Sequence, residues 1–122
     1  MSTKSCGAVV VFGDKVLLVK DRSGDGRWGL PMGKQEMGES EEQAAIREIK
    51  EETDVDVVLI PGFREICLVG EKHMVFFKGK AQTSAVCAKK NEISVAEWMR
   101  SDELQNEEAY EGVKQLVAKA MR

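Results

Sequence analysis

No part of this 122-residue sequence is apolar for long enough to cross a bilayer as a helix. The longest runs, Ala8–Phe12 and Val16–Val19, are of strand length, where a spanning helix needs about 20 residues. The opening residues, Met1-Ser2-Thr3-Lys4, lack the apolar segment and cleavage site of a signal peptide. Cysteine is scarce and unpatterned: Cys6, Cys67 and Cys87 are odd in number, far apart and never C-x-x-C. That argues against a disulfide framework and a zinc site, and for buried or unreactive thiols in a reducing cytoplasm. Strong charge is missing too. At −3 the net charge selects no partner, and neither a membrane nor a stable nucleic-acid partner is expected. The only histidine, His73, lies beside an expected turn with no visible partner and is given no role.

What is present is ordinary in bulk and unusual in distribution. With 43% hydrophobic and 32% charged residues, the chain reads as one globular domain over 1–122 with a single core. Cys6–Phe12 and Lys15–Lys20 are Val- and Leu-rich and flank Gly13-Asp14, a hairpin pattern. Asp21 to Gly33 carries four glycines and Pro31 and reads as a loop. Ser40 then caps a helix with Gln43 completing a capping box, and the helix runs to about Thr53. Val55–Ile60, Arg64–Val69 and His73–Gln82 read as strands, the first two separated by Pro61-Gly62 and the last two by a turn at Gly70-Glu71-Lys72. A polar connection, Thr83 to Asn91, leads to a strand in Glu92–Trp98. A last helix, capped by Asn106, carries Ala109, Val113, Leu116, Val117 and Ala120 as one apolar stripe. The sum is an α+β fold, α/β/α sandwich-like, with a mixed sheet, one helix inserted mid-chain and one at the C-terminus.

Charge is concentrated where the first helix falls. Between Glu36 and Asp56 there are nine acidic residues and two basic ones, Arg47 and Lys50. Glu48, Glu51 and Glu52 stand at i, i+3 and i+4, so they share a helix face. Like charges so packed destabilise the helix unless a cation neutralises them, and Mg²⁺ is held by carboxylates of this kind together with substrate phosphates. Ala45, Ile46 and Ile49 supply an apolar face to dock on the sheet.

From Gly33 the sequence runs five residues to Glu39, seven more to Arg47-Glu48-Ile49, then to Glu51-Glu52 and Asp54-Val55. This resembles the signature box of the Nudix hydrolases, G-x5-E-x7-R-E-U-x-E-E-x-G-U with U aliphatic, and every fixed position matches except one. Pro31, Lys34, Glu36 and Gly38 also sit where members of that family often carry them. The exception is Asp54 in place of glycine. A glycine there ends the helix in the left-handed conformation, which Asp reaches at a cost of roughly 1 kcal/mol.

The resemblance implies a magnesium-dependent hydrolase (Mn²⁺ being an alternative) that cleaves a phosphoanhydride bond in a small nucleotide substrate. By position, Glu51 and Glu52 would be the principal metal ligands, with Glu48 joining them or acting as base. The Gly33 carbonyl would be a further ligand, Glu39 would lie at the edge of the metal cluster, and Arg47 would orient a neighbouring glutamate. A bound Mg²⁺ would acidify a water and neutralise phosphate oxygens while a carboxylate takes the proton. Glu92 either reaches the metals, as an acid does in the MutT branch, or is a strand-edge surface charge. Trp28 stacks on a base or packs in the core. Arg22, Arg27 and Lys34 contact phosphates or are surface charges.

Family members cleave nucleoside triphosphates, dinucleoside polyphosphates, ADP-ribose, nucleotide sugars or capped RNA. The proline and tyrosine markers of the ADP-ribose and dinucleoside polyphosphate enzymes would fall near Gly70–Lys72, and neither is present. MutT-like nucleoside triphosphates remain the default, with Tyr110 at the position that reads the base, or Asn106 if the register slips. A non-catalytic nucleotide-binding module would have lost metal glutamates, and all four are here. A third reading is an acidic protein with a purely structural metal. Oligomeric state is left open.

Overall fold

The computed structural model describes residues 4–89 and 92–122. The reading of the first three residues, and the Asn91 end of the polar connection, lie outside these. The elements are β1 (Lys4–Phe12), β2 (Lys15–Asp21), β3 (Met32–Lys34), α1 (Glu41–Thr53), β4 (Val57–Val69), β5 (Lys72–Ala81), β6 (Ile93–Arg100), α2 (Ser101–Leu104) and α3 (Val113–Ala120). The sheet has six strands in the order β4-β5-β1-β2-β6, with β3 also paired to β1. It is mixed because β1 and β5 run parallel while the other pairings are antiparallel. Among the described residues no helix is long and apolar enough to cross a membrane.

The two faces of the sheet carry two cores, and strand alternation sorts residues between them. Cys6, Ala8, Val10 and Leu17 pack with Ala44, Ala45 and Ile49 of α1. Val9, Val16 and Leu18 pack with Leu104 of α2 and with Val113, Leu116, Val117 and Ala120 of α3. Helices therefore cover both faces, as the layered α+β reading requires. Because it is covered on both sides, β1 reads in sequence as a continuous apolar run.

β1 is paired along one edge by β5 and along the other by two strands in turn. β3 takes its beginning (Ser5, Cys6, Gly7) and β2 its end (Val11, Phe12). The sheet is therefore split between β3 and β2. A Cβ on Gly7 would lie 2.3 Å from the Pro31 carbonyl oxygen, so the crossing chain needs glycine there.

α1 begins as its sequence dictates. Ser40 Oγ accepts the Gln43 N–H at 3.0 Å and Gln43 Oε1 accepts the Ser40 N–H at 2.9 Å, satisfying two otherwise free backbone donors. It ends at Asp54, the one non-glycine residue with positive φ among those described, at φ 61° and ψ 17°.

Four expectations need correction. Ile46 is exposed; Ala44 takes its place, because the docked face runs through 44, 45, 48, 49 and 52. Pro61-Gly62 does not separate two strands. β4 runs through it on a bulge, with Ile60 opposite Lys78 and Arg64 opposite Phe77. Proline is tolerated there because β4 is an edge strand. Asn106 caps no long helix: it follows α2 in a turn, and α3 starts behind Gly112 at φ 88°. Ala109, expected in that helix's apolar stripe, lies outside α3, its backbone pairing with Trp28. β3, finally, forms inside the Gly- and Pro-rich segment expected as loop, three residues being too few to show a period.

Asp54 links helix geometry to a measurable energy. Its carboxylate lies 3.3 Å from both Lys50 and Lys89, and exposed pairs of this kind contribute little. Asp54→Gly should therefore stabilise the protein by up to about 1 kcal/mol, relief of left-handed strain outweighing the lost pairs and glycine's unfolded-state entropy. Urea denaturation measures this; a clear loss of stability would show that the lysine contacts outweigh the strain.

Candidate active site

α1 places its carboxylates by periodicity. Glu48 and Glu52, one turn apart, continue the buried flank begun by Ala44 and are only 4% exposed each. Glu51 stands on the outer side of the same ridge and is exposed. Opposite this ridge lies β3. The Glu52 carboxylate accepts the Met32 N–H at 3.2 Å, and Glu48 lies against Gly33 so closely that a Cβ there would be 2.0 Å from Glu48 Oε2. Glycine at 33 is thus demanded by the glutamate beside it.

Arg47 holds these parts together. Its guanidinium donates to Glu39 at 2.6 and 2.9 Å, to Glu48 at 2.8 Å and to Glu51 at 3.1 Å, and Nη2 also reaches the Lys34 carbonyl at 2.9 Å. One cation therefore spans three of the four box glutamates and ties β3 to α1. The hydrogen bond from Arg47, helped by the Glu36 backbone N–H, pulls the Glu39 carboxyl down to about 2. Glu39 in turn is the largest cause of the raised Arg47 pKa, so this pair is charged at any ordinary pH.

A cavity of about 950 Å³ opens beside this ridge, where the sheet is split. Its lining includes Gly33, Lys34, Glu48 and Glu52 together with Arg27, Glu92 and Tyr110, and also Val113 and Leu116 of α3. Carboxylates from the helix on one face thus share a space with the helix on the other. The volume is of the size that holds a nucleotide-sized ligand. Glu39, Arg47 and Glu51 lie outside that lining.

Trp28 departs from the base-stacking expectation. It is buried in the α3-side core and is not in the cavity wall. Its indole N–H donates to Glu107 at 3.2 Å and Lys20 Nζ lies 4.4 Å from its ring centroid. Arg22 is also absent from the lining, its backbone N–H bonding to the Glu92 carbonyl at 2.6 Å. Asn106 is exposed and away from the cavity, whereas Tyr110 lines it. Sequence reasoning missed Lys72, Met32 and Phe76, which also line the cavity. Their only signal is cross-strand register, which requires the pairing of the strands. Of the thiols, Cys6 is buried, and burial pushes it up to about 11. Cys67 is half-buried and Cys87 exposed, so burial accounts for Cys6 alone.

The donors suit a hard divalent cation, being carboxylate and carbonyl oxygens only. Among the described residues no three His, Cys, Asp or Glu side chains converge to hold an ion as they stand, the Arg47 guanidinium bridging the glutamates instead. Glu48 and Glu52 are buried beside Gly33, an arrangement that can accommodate an ion between Glu51 and Glu52 once Arg47 cedes Glu51, Glu48 keeping its bond to Arg47.

The fold and this ridge define a layered α+β domain with a helix-borne carboxylate site. The NUDIX domain model matches residues 1–120, and the chain belongs to the NUDIX family. Nudix hydrolase 2 of Arabidopsis thaliana is 34% identical over 116 residues, covering 83% of this chain and 40% of that protein. The chain spans about two fifths of the length of the curated relatives it matches. A NUDIX-family hydrolase from Clostridium perfringens superposes with TM-score 0.88 at 18% identity, covering 99% of this chain and 97% of that one. A C. elegans Ap4A hydrolase superposes with TM-score 0.80 at 23% identity, covering 96% and 93%. These likenesses are of fold.

Gly33→Ala tests the contact at the centre of the site. The added methyl must displace Glu48 or β3, at a cost of about 1–3 kcal/mol. The variant is expected to fold with a lower Tm and to lose most of any Tm gain that Mg²⁺ gives the wild type. An unchanged response to Mg²⁺ would show that Glu48 against Gly33 has no part in holding the ion.

Proposed function

We propose that this chain acts as one domain over its 122 residues and hydrolyses a phosphoanhydride bond in a nucleoside diphosphate-linked substrate with Mg²⁺, or Mn²⁺ in its place. The observation that supports it is the meeting of buried Glu48 and Glu52 with Gly33 and Lys34 in the wall of one nucleotide-sized cavity. Two buried carboxylates are costly unless paired or ligating, and a cavity between them and a lysine is suited to a phosphate chain. Glu51 and Glu52 with the Gly33 carbonyl would hold the ion, Glu39 lying at its edge. When bound, the ion supplies neutralisation of phosphate oxygens and a water acidic enough to react at neutral pH. Glu48, kept in place by Arg47, takes the proton from the attacking water, and Lys34 pairs with a phosphate oxygen. Glu92, exposed just before β6 but in the cavity wall, contributes a further carboxylate. The proposed substrate is a nucleoside triphosphate of the MutT-like kind, with dinucleoside polyphosphates or capped RNA as alternatives.

The direct test is incubation with a panel of nucleotides and Mg²⁺, followed by identification of phosphate, pyrophosphate or nucleoside monophosphate. No release from any of them would reject hydrolysis and leave a binding module. In an active protein, Glu52→Gln should lower turnover by about 10²–10³-fold. Its amide oxygen can still accept the Met32 N–H, so the Tm of the metal-free variant should hold or rise. Turnover near wild type at saturating Mg²⁺ would remove Glu52 from the metal set.

Tyr110 sets a limit on base selection. A phenol offers one hydroxyl where an asparagine amide offers a donor and an acceptor, and Asn106 is not in the cavity wall. Single contacts of this sort discriminate by about 1–3 kcal/mol. The kcat/KM values for oxidised dGTP and dGTP should therefore differ by much less than about a thousandfold. A larger preference would require another reader.

A further inference from the structure

Tyr110 is built into the wall in a way that packing alone does not demand. Its N–H donates to the Trp28 carbonyl at 2.9 Å, and the Trp28 N–H donates to the Glu108 carbonyl at 2.9 Å. The loop before β3 is shaped around the phenol. A Cβ on Gly24 would lie 2.8 Å from Tyr110 Oη, and one on Gly29 3.3 Å from a ring carbon. The Arg27 guanidinium lies over the ring at 5.0 Å from its centroid. Asp25 fixes that guanidinium, accepting from Nε at 2.8 Å and from Nη2 at 2.5 Å through one oxygen. Arg27 and Tyr110 both line the cavity, while the Arg27 side chain remains 45% exposed.

A guanidinium held over an aromatic ring extends that ring's surface, and arginine planes and aromatic rings are what nucleobases stack on. We propose that Arg27 and Tyr110 together form the binding platform for the nucleobase, with Asp25 a positioning residue that holds Arg27 over the ring. Asp25 itself is outside the cavity lining and acts only through Arg27. This rests on the hydrolase reading for its kinetic form, not for its binding form. Asp25 and Arg27 are two residues apart, so the clamp is preassembled and little side-chain freedom is lost on binding.

The experiment uses the full chain and three variants, Arg27→Lys, Asp25→Asn and Tyr110→Leu, each checked by circular dichroism and Tm. Kinetics are measured on a nucleoside triphosphate and on inorganic tripolyphosphate, which has no base. Binding of a nucleoside monophosphate is measured by calorimetry without metal. Arg27→Lys keeps the charge and loses the plane. It should raise KM for the nucleotide by about tenfold with kcat nearly unchanged, and weaken monophosphate binding by a similar factor. Tyr110→Leu should do the same, and Asp25→Asn should produce a smaller rise in the same direction. None should change KM for tripolyphosphate. Turnover with unaltered nucleotide KM in Arg27→Lys and Tyr110→Leu would overturn the platform and leave the hydrolase reading intact. Equal losses on both substrates would assign these residues to phosphate or fold, and also overturn it. No turnover, with monophosphate binding that weakens in the variants, would reject the hydrolase reading while the platform stands. No binding and no turnover by the wild type rejects both.

Discussion

Carboxylates on successive turns of one helix repel one another, and here two of them are buried. The arrangement persists because one guanidinium pairs with Glu48 and Glu51 while Glu52 accepts a backbone N–H from β3. Arg47 bridges Glu39, Glu48 and Glu51 and spends its remaining donor on the Lys34 carbonyl. The last bond matters as much as the others. β3 is three residues long and has little apolar surface with which to hold its position. Arg47 to the Lys34 carbonyl and Met32 to Glu52 fix it to α1 on either side of Gly33. The same network that quenches repulsion among the carboxylates thus sets the spacing of the residues proposed to bind the ion. A divalent cation can replace the guanidinium among the glutamates with more charge in less volume.

The cavity follows from an economy in the sheet. Among the described residues β1 is the only strand with three strand partners, and two of them divide one edge. Where β3 gives way to β2 the sheet is open, so side chains from helices on opposite faces meet in one space. Glu48 and Glu52 come from one side, Val113 and Leu116 from the other, and Tyr110 closes the wall. Close backbone approach at Gly7 permits the crossing of Pro31, and the pairing of Trp28 with Ala109 ties the loop before β3 to the segment before α3. The phosphate-facing and base-facing parts proposed for the site are therefore carried by segments far apart in sequence and joined by a few backbone hydrogen bonds.

Local chemistry made much of this legible in advance. The capping box at Ser40, the left-handed end at Asp54, the Gly13-Asp14 hairpin and the stripe of Val113, Leu116, Val117 and Ala120 all depend on residues within a few positions of one another. Features that depend on partners elsewhere in the chain were read wrongly or not at all. Pro61-Gly62 breaks a strand by its own propensity, yet an edge position lets β4 continue through it. Asn106 is a good helix cap, but the following backbone pairs with the Trp28 segment. Ile46 is as apolar as Ile49, and only the angle at which α1 docks decides that it stays outside.

The sequence by itself determined the spacing from Gly33 to Val55, because helical periodicity carries a linear pattern of glutamates directly onto a surface. It also determined the two-sided burial of β1 and β2. Tertiary structure alone decided that Glu48 lies against Gly33, that Arg47 reaches back to β3, and that Arg27 lies over the Tyr110 ring although the two are 83 positions apart. Such contacts are set by how the split sheet brings distant segments together, and no short-range rule of helix, strand or turn encodes that meeting.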